Sequence, residues 1–201
     1  MTHRPAPLQV FIDAAARAFT AHTKDPEGAR VVDAVFAALR HGGTASDTAP
    51  ILLPVARRYL PQLTDPVRFD DPLLRDVAGA FAALSPQLTW TLRGGDWDHA
   101  NASFAQGHAN VMIVGPGGLE RRTDVWLGVS LLAPDVLYPE HTHPPEESYL
   151  ALSPGGFRNA QCDWQEPGIG GTFYNPPGIV HLMRSGPEPF LAIWALRPET
   201  P

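Results

Sequence analysis

The hydrophobic pattern of this chain changes period near Pro86, and that change limits the folds open to it. Before Pro86, apolar residues recur at helical spacing. Val10, Phe11, Ile12, Ala14, Ala15, Ala18 and Phe19 form one stripe, and Val32, Val35, Phe36 and Leu39 follow the i, i+3, i+4, i+7 pattern. Gly42 and Gly43 are expected to stop that second helix. A third helix is expected from Ile51 to Leu60. A fourth starts with Asp71 as N-cap and Pro72 in the first helical position, and carries Leu74, Val77, Ala78 and Phe81 on one stripe. After Pro86 come short apolar runs separated by Gly, Pro and Asp. The expected strands are Leu88–Leu92, Asn110–Val114, Asp124–Leu132, Ser148–Leu152, Phe157–Cys162, Gly171–Tyr174 and Phe190–Leu196. In the last of these both alternating sets are apolar, as in a strand buried on both faces. The 22 prolines and 18 glycines suit such a turn-rich region. Helices followed by many short strands predict a mainly β chain of the α+β class. A helical segment spans 1–86 and a β-barrel spans 87–201. The alanine-rich helical stripes pack on one another, on the barrel or on a second subunit, so a homodimer is one expectation.

Composition narrows the function. The charge is -6, and no basic block is present to neutralise phosphates, which argues against nucleic acid. No apolar run approaches the roughly 18 residues a membrane helix needs. Met1 to Val10 lacks the basic start and apolar stretch of a secretory signal, so a cytoplasmic location is expected. The single cysteine, Cys162, has no partner for an intramolecular disulfide and reads as a strand thiol. Any metal site must therefore use His, carboxylate or Tyr.

The chemistry concentrates in two short segments. The first runs Tyr138-Pro139-Glu140-His141-Thr142-His143-Pro144-Pro145-Glu146-Glu147-Ser148-Tyr149. His141 and His143 share a face if they lie on a strand. Glu147 follows four residues later, across a Pro-Pro turn that returns it to the same side. The second segment, Gly170 to His181, ends in Pro176-Pro177-Gly178-Ile179-Val180-His181. Three imidazoles and one carboxylate suit one divalent transition metal ion, with positions left for water or substrate. Zn, Fe, Mn, Co and Ni all accept such a set. Glu140 and Glu146 read as solvated neighbours, Arg184 as a carboxylate binder or a rim residue, and His108 as a hydrogen-bonded structural histidine. Asn110 carries no evident chemical role.

These segments resemble the two signature motifs of the cupin superfamily. His141, His143 and Glu147 match the first motif, and Gly170, Pro176, Gly178 and His181 match the second. Asp135 stands where the first motif has a leading Gly, its trailing Gly arrives late at Gly155, and Ser185 replaces the terminal Asn of the second. The departures fall on turns and leave the ligands in place. The resemblance implies a double-stranded β-helix, or jelly-roll, barrel with the metal inside. A closer resemblance covers residues 85–196. It runs through Gly107-His108-Ala109-Asn110 to Gly117-Gly118-Leu119-Glu120, Leu127 to Pro134, Tyr138 to Tyr149 and Tyr174 to His181, and it is similar to the cupin-type dimethylsulfoniopropionate lyases of marine bacteria. The mark of those lyases is a Tyr two residues after the Glu ligand, and Tyr149 holds that position.

That resemblance implies a β-elimination releasing dimethyl sulfide and acrylate from a small sulfonium carboxylate. Tyr149 becomes the general base, its phenol made more acidic by the adjacent divalent ion. The sulfonium group is a fixed cation without donors, for which aromatic faces are the natural receptor. Tyr138 is the first candidate there, followed by Trp194, Trp126 and Tyr174. The same ligand set also serves metal-dependent dioxygenases and isomerases of the cupin type, and small-ligand-binding cupins without activity.

Overall fold

A computed structural model describes residues 4–94 and 101–198. The first half is helical: α1 Ala6–His22, α2 Pro26–Ala38, α3 Pro54–Leu63 and α4 Pro72–Leu84, with a short α5 at Phe104–Gly107. Proline sits in the first turn of each of the four long helices, where its missing N–H costs nothing. Asp25 caps α2 by accepting from the Gly28 N–H at 2.7 Å, and Asp71 caps α4 by accepting from the Leu73 N–H at 2.7 Å. α3 begins three residues later than expected. Pro54 holds Leu53 extended, with ψ at 152°, so the helix cannot start sooner. No helix among the described residues is long and apolar enough to cross a membrane.

The strands are β1 Thr44–Ala45, β2 His108–Val114, β3 Glu120–Arg121, β4 Trp126–Leu132, β5 Leu137–His141, β6 Glu146–Ala151, β7 Gly156–Asn159, β8 Cys162–Gln165, β9 Thr172–Asn175, β10 His181–Arg184 and β11 Phe190–Arg197. They form a seven-stranded sheet in the order β1-β3-β2-β4-β11-β6-β9 and a four-stranded sheet in the order β5-β10-β7-β8. This is the two-sheet cupin barrel with helices at its N-terminal end. Two expected strands take another form. Leu88–Leu92 bridges two different partners, Ile51 through Thr89 and Asn110 through Thr91, so no ladder develops. Phe157–Cys162 splits into the β7–β8 hairpin, because the Asn159 side chain accepts from the Gln161 N–H at 3.0 Å and turns the chain. β5 and β10, both unforeseen, carry two of the histidines.

The large sheet separates two cores. On its outer face Leu191, Ile193 and Ala195 of β11 pack with Val129 and Leu131 of β4 against Phe11, Phe19, Val32 and Phe81 of the helices. On its inner face Phe190, Ala192, Trp194 and Leu196 join Tyr138, Tyr149, Phe157 and Phe173 inside the barrel. β11 is thus buried on both faces, as its sequence predicts. A buried ion pair ties the chain's beginning to β3. Arg4 donates to Glu120 at 2.6 and 2.8 Å and to the Leu39 carbonyl at 2.8 Å.

The departures from the cupin motifs are absorbed locally. Asp135 has φ +56°, so it adopts the left-handed turn of the glycine it replaces, a conformation Asp tolerates better than most residues. Ser185 donates to the Ala133 carbonyl at 2.6 Å and accepts from the Val136 N–H at 2.9 Å, fastening the end of β10 to the start of β5.

Candidate active site

The smaller sheet and the middle of the larger one face each other across a cavity of about 230 Å³. His141 on β5 lies directly opposite His181 on β10, with ring centroids 4.0 Å apart. His143 follows β5, and its ring lies 4.9 Å from that of His181. One nitrogen from each ring lies within 4.8 Å of the other two. Each Nδ1 is bonded to a backbone carbonyl: His141 to Pro139 at 3.0 Å, His143 to Pro145 at 2.9 Å and His181 to Ile179 at 3.0 Å. With Nδ1 as the donor, each Nε2 is left with a lone pair. Glu147 Oε2 lies 3.4 Å from Nε2 of both His143 and His181. Its carboxyl is held well below the usual range. Burial opposes that shift; protons on the facing imidazole nitrogens outweigh it, and a bound cation accepting the Nε2 lone pairs would take the place of those protons.

These residues fit a metal ion. His181 Nε2 is buried and makes no hydrogen bond, an arrangement that costs free energy unless something accepts its lone pair. Burial, with His181 close by, pushes His141 down to about 3, so that ring is neutral at physiological pH, as a ligand must be. The Glu147 carboxylate is also supported from behind. Asn175 Nδ2 donates to Glu147 Oε2 at 3.4 Å, and Asn159 Nδ2 donates to Asn175 Oδ1 at 3.1 Å.

Tyr149 lies two residues past Glu147 on β6, on the same face, and lines the cavity. Burial and the Glu147 carboxylate push its phenol well above the usual value. Tyr138 also lines the cavity, although it stands three residues before His141, a spacing that in a regular strand puts two side chains on opposite faces. A bulge corrects this. His141 pairs with His181 and Tyr138 with Met183, so three steps of β5 are matched by two of β10. Burial pushes Tyr138 up to about 12, so it keeps its proton. Trp126 and Trp194 complete the aromatic wall, and Met112 and Met183 line the same cavity.

Not every expected residue joins the site. Tyr174 pairs with Ser148, one step out of phase with Glu147, and its hydroxyl donates to Glu146 at 3.2 Å on the helical side of the sheet. Glu146 is not a solvated neighbour. It is buried and bonded to both terminal nitrogens of Arg30 on α2, one of them at 3.0 Å, because the same alternation turns it toward the helices. Arg184 lies over Trp164, 4.2 Å from its ring centroid, and pairs with Glu166 at 3.0 Å, away from the histidines. Glu140 is exposed. His108 is a buried structural histidine, bonded to the Phe104 carbonyl and accepting from the Arg93 N–H at 2.8 Å. Asn110, which carried no evident chemical role in the sequence, lines the cavity, as does the unforeseen Ser130. Ser130 makes a bond across strands that no local spacing announces, donating to Asn110 Oδ1 at 2.7 Å.

The comparisons agree with this architecture. One solved chain, from the crystal structures of the DMSP lyases RdDddP and RnDddQII, superposes with a TM-score of 0.71 at 21% identity, covering 96% of this chain and 93% of its own. The DMSP lyase DddQ from Ruegeria pomeroyi DSS-3 superposes with a TM-score of 0.69 at 23% identity, covering 97% and 93%. At these identities the two establish the fold. A candidate dimethylsulfoniopropionate lyase, DddL, of Cereibacter sphaeroides is 28% identical over 114 residues, which are 56% of this chain and 47% of that relative. The chain thus spans about half the length of that curated relative. A family model described as dimethylsulfoniopropionate lyase matches residues 27–192, nearly all of both sheets and most of the helical region. The chain belongs to the dimethylsulfoniopropionate lyase family.

Proposed function

We propose that this protein is a metal-dependent carbon-sulfur lyase that cleaves dimethylsulfoniopropionate to dimethyl sulfide and acrylate by base-promoted β-elimination. The observation that carries this reading is the convergence of three imidazoles, two of them lining an aromatic-walled cavity together with Glu147 and two tyrosines. His141, His143, Glu147 and His181 would hold one divalent transition metal ion. When bound, that ion polarises the substrate carboxylate and supplies the positive charge that lets the Tyr149 phenol ionise despite its burial.

Tyr149 Oη then takes the proton α to the carboxylate. As that C–H bond breaks, its electron pair forms the new C=C bond, and the pair of the β C–S bond leaves with neutral dimethyl sulfide. Tyr149 later returns its proton to solvent, so the products are dimethyl sulfide, acrylate and one proton. Tyr138 keeps its proton and offers it to the substrate carboxylate. The faces of Trp126, Trp194 and Tyr138 receive the sulfonium, which has no donor of its own and is stabilised by π electrons. The mostly apolar wall keeps water from the developing carbanion.

The test is headspace gas chromatography on protein loaded separately with Zn, Fe, Mn, Co and Ni. Metal-dependent release of dimethyl sulfide, matched mole for mole by acrylate, is the expected result. Protein shown to hold metal that releases none with any of the five would overturn the proposal.

A further inference from the structure

Four residues from four strands join in one line of hydrogen bonds that ends at Tyr138. Trp194 Nε1 donates to Ser130 Oγ at 3.1 Å, Ser130 Oγ donates to Asn110 Oδ1 at 2.7 Å, and Asn110 Nδ2 donates to Tyr138 Oη at 3.0 Å. The sheet register builds this line. Asn110 on β2 pairs with Ser130 on β4, and Trp194 on β11 pairs with Gly128, the next residue of β4 facing inward. The indole packs against Gly128, where a Cβ would come within 2.2 Å of its Cζ2 atom.

The direction of the line is set at its far end. An indole N–H can only donate. Ser130 Oγ therefore accepts from Trp194, and its single proton has one acceptor among the described residues, Asn110 Oδ1. That bond fixes the amide, so Nδ2 faces Tyr138 and donates to its oxygen. Tyr138 makes no other hydrogen bond among the described residues, and its own proton is left to point into the cavity. In the reverse direction, with Tyr138 donating to Asn110 and the amide donating to Ser130, the Ser130 proton would be stranded. Ser130 is 3% exposed, and a buried donor without an acceptor is costly. In the forward direction the one unused proton lies where a ligand can take it.

We infer that Ser130 and Asn110 are positioning residues that fix the Tyr138 O–H bond toward the substrate carboxylate. The direction of the bonds follows from the protein alone, and the identity of the acceptor rests on the lyase reading above. Neither residue touches the reacting atoms in this role. Each acts through Tyr138.

Two measurements test this on the full-length, metal-loaded protein. Neutron diffraction from perdeuterated crystals locates the deuterons. The expected map places the Ser130 deuteron toward Asn110 and the Tyr138 deuteron toward the cavity. A Tyr138 deuteron on Asn110 overturns the inference, whatever the substrate. The second measurement is a double-mutant cycle in KM and kcat for dimethylsulfoniopropionate. Ser130→Ala should raise KM by about tenfold, the worth of one oriented hydrogen bond to a charged group, with a smaller change in kcat. In a Tyr138→Phe background the same substitution should change KM by less than about twofold, because its effect runs through the missing hydroxyl. Ser130→Thr, which keeps the hydroxyl, should restore the wild-type KM. An equal Ser130→Ala penalty in both backgrounds would mark a merely structural residue and overturn the inference. A wild-type protein releasing no dimethyl sulfide would sink the lyase reading alone, and the neutron map would still decide the direction of the bonds.

Discussion

Gly128 on β4 is the place where one methyl group should do the most damage to the site without touching a charge. A Cβ there would lie 2.2 Å from Trp194 Cζ2, 2.3 Å from its Cη2 atom and 2.3 Å from the Val111 carbonyl oxygen. Ordinary carbon contacts sit near 3.5–4.0 Å, so Gly128→Ala requires the indole to move by roughly 1.5 Å, and the β2 backbone must yield as well. Overpacking of this kind costs about 1–3 kcal/mol. Moving the indole also breaks its bond to Ser130, worth about another 0.5–1.5 kcal/mol. Against this, alanine restricts the unfolded chain and returns about 0.4–1 kcal/mol. The net expectation is a loss of about 0.5–4 kcal/mol, read as a lower midpoint in urea unfolding at unchanged m-value. Adding Trp194→Leu to the alanine variant should relieve part of that loss, since the clashing ring atoms are gone while the Val111 carbonyl remains. A Gly128→Ala protein within about 0.5 kcal/mol of wild type would refute the seating of Trp194 and the packing argument built on it.

Other consequences follow from particular contacts. Arg4→Ala should cost about 3–5 kcal/mol near neutral pH, because it strips the buried Glu120 carboxylate of its ion-pair partner and leaves it only the Gly43 N–H and the more distant Arg122 charge. Burial by itself raises the Glu120 carboxyl, but the Arg4 bonds prevail and hold it below its ordinary 4.5. A depressed carboxyl stabilises the fold above that value and loses its contribution as the pH falls through the folded pKa. The gap between wild type and Arg4→Ala should therefore narrow below about pH 4.5, measured by urea unfolding across pH. A gap independent of pH would contradict the pairing. Tyr174→Phe should leave dimethyl sulfide release within about twofold of wild type and cost at most about 1.5 kcal/mol, since it removes a hydroxyl bonded to Glu146 outside the cavity. A large loss of activity with unchanged stability would put Tyr174 back among the substrate-binding residues.

The clustered histidines and the helical half were legible in the sequence, because both are written in local spacing. The two histidine segments stand out whether or not their strands are foreseen. β5 and β10 escaped because Pro139 interrupts the one and both are short and polar. What local spacing cannot convey is register. Tyr174 and Asn175 are neighbours in the chain, yet pairing with β6 sends Tyr174 to the helices and Asn175 to the Glu147 carboxylate. Tyr138 reaches the cavity only through a bulge that its own segment does not announce. Asn110, Ser130 and Trp194 lie 20 and 64 residues apart along the chain, and only the closed sheet makes them one unit. Asp135 is the opposite case. Its place in the cupin motif predicted a turn, and its left-handed backbone is the physical form of that prediction.

In the proposed reaction Tyr149 acts as base beside a metal ion that three histidines and Glu147 would hold. The most direct test pairs two readings on Tyr149→Phe, metal content by mass spectrometry and dimethyl sulfide release by gas chromatography. The expected result is metal content close to wild type, with release reduced by at least about a hundredfold, the usual share of a positioned general base. Wild-type release from the phenylalanine variant would contradict it, and the proton would then have to be taken by another group in the cavity.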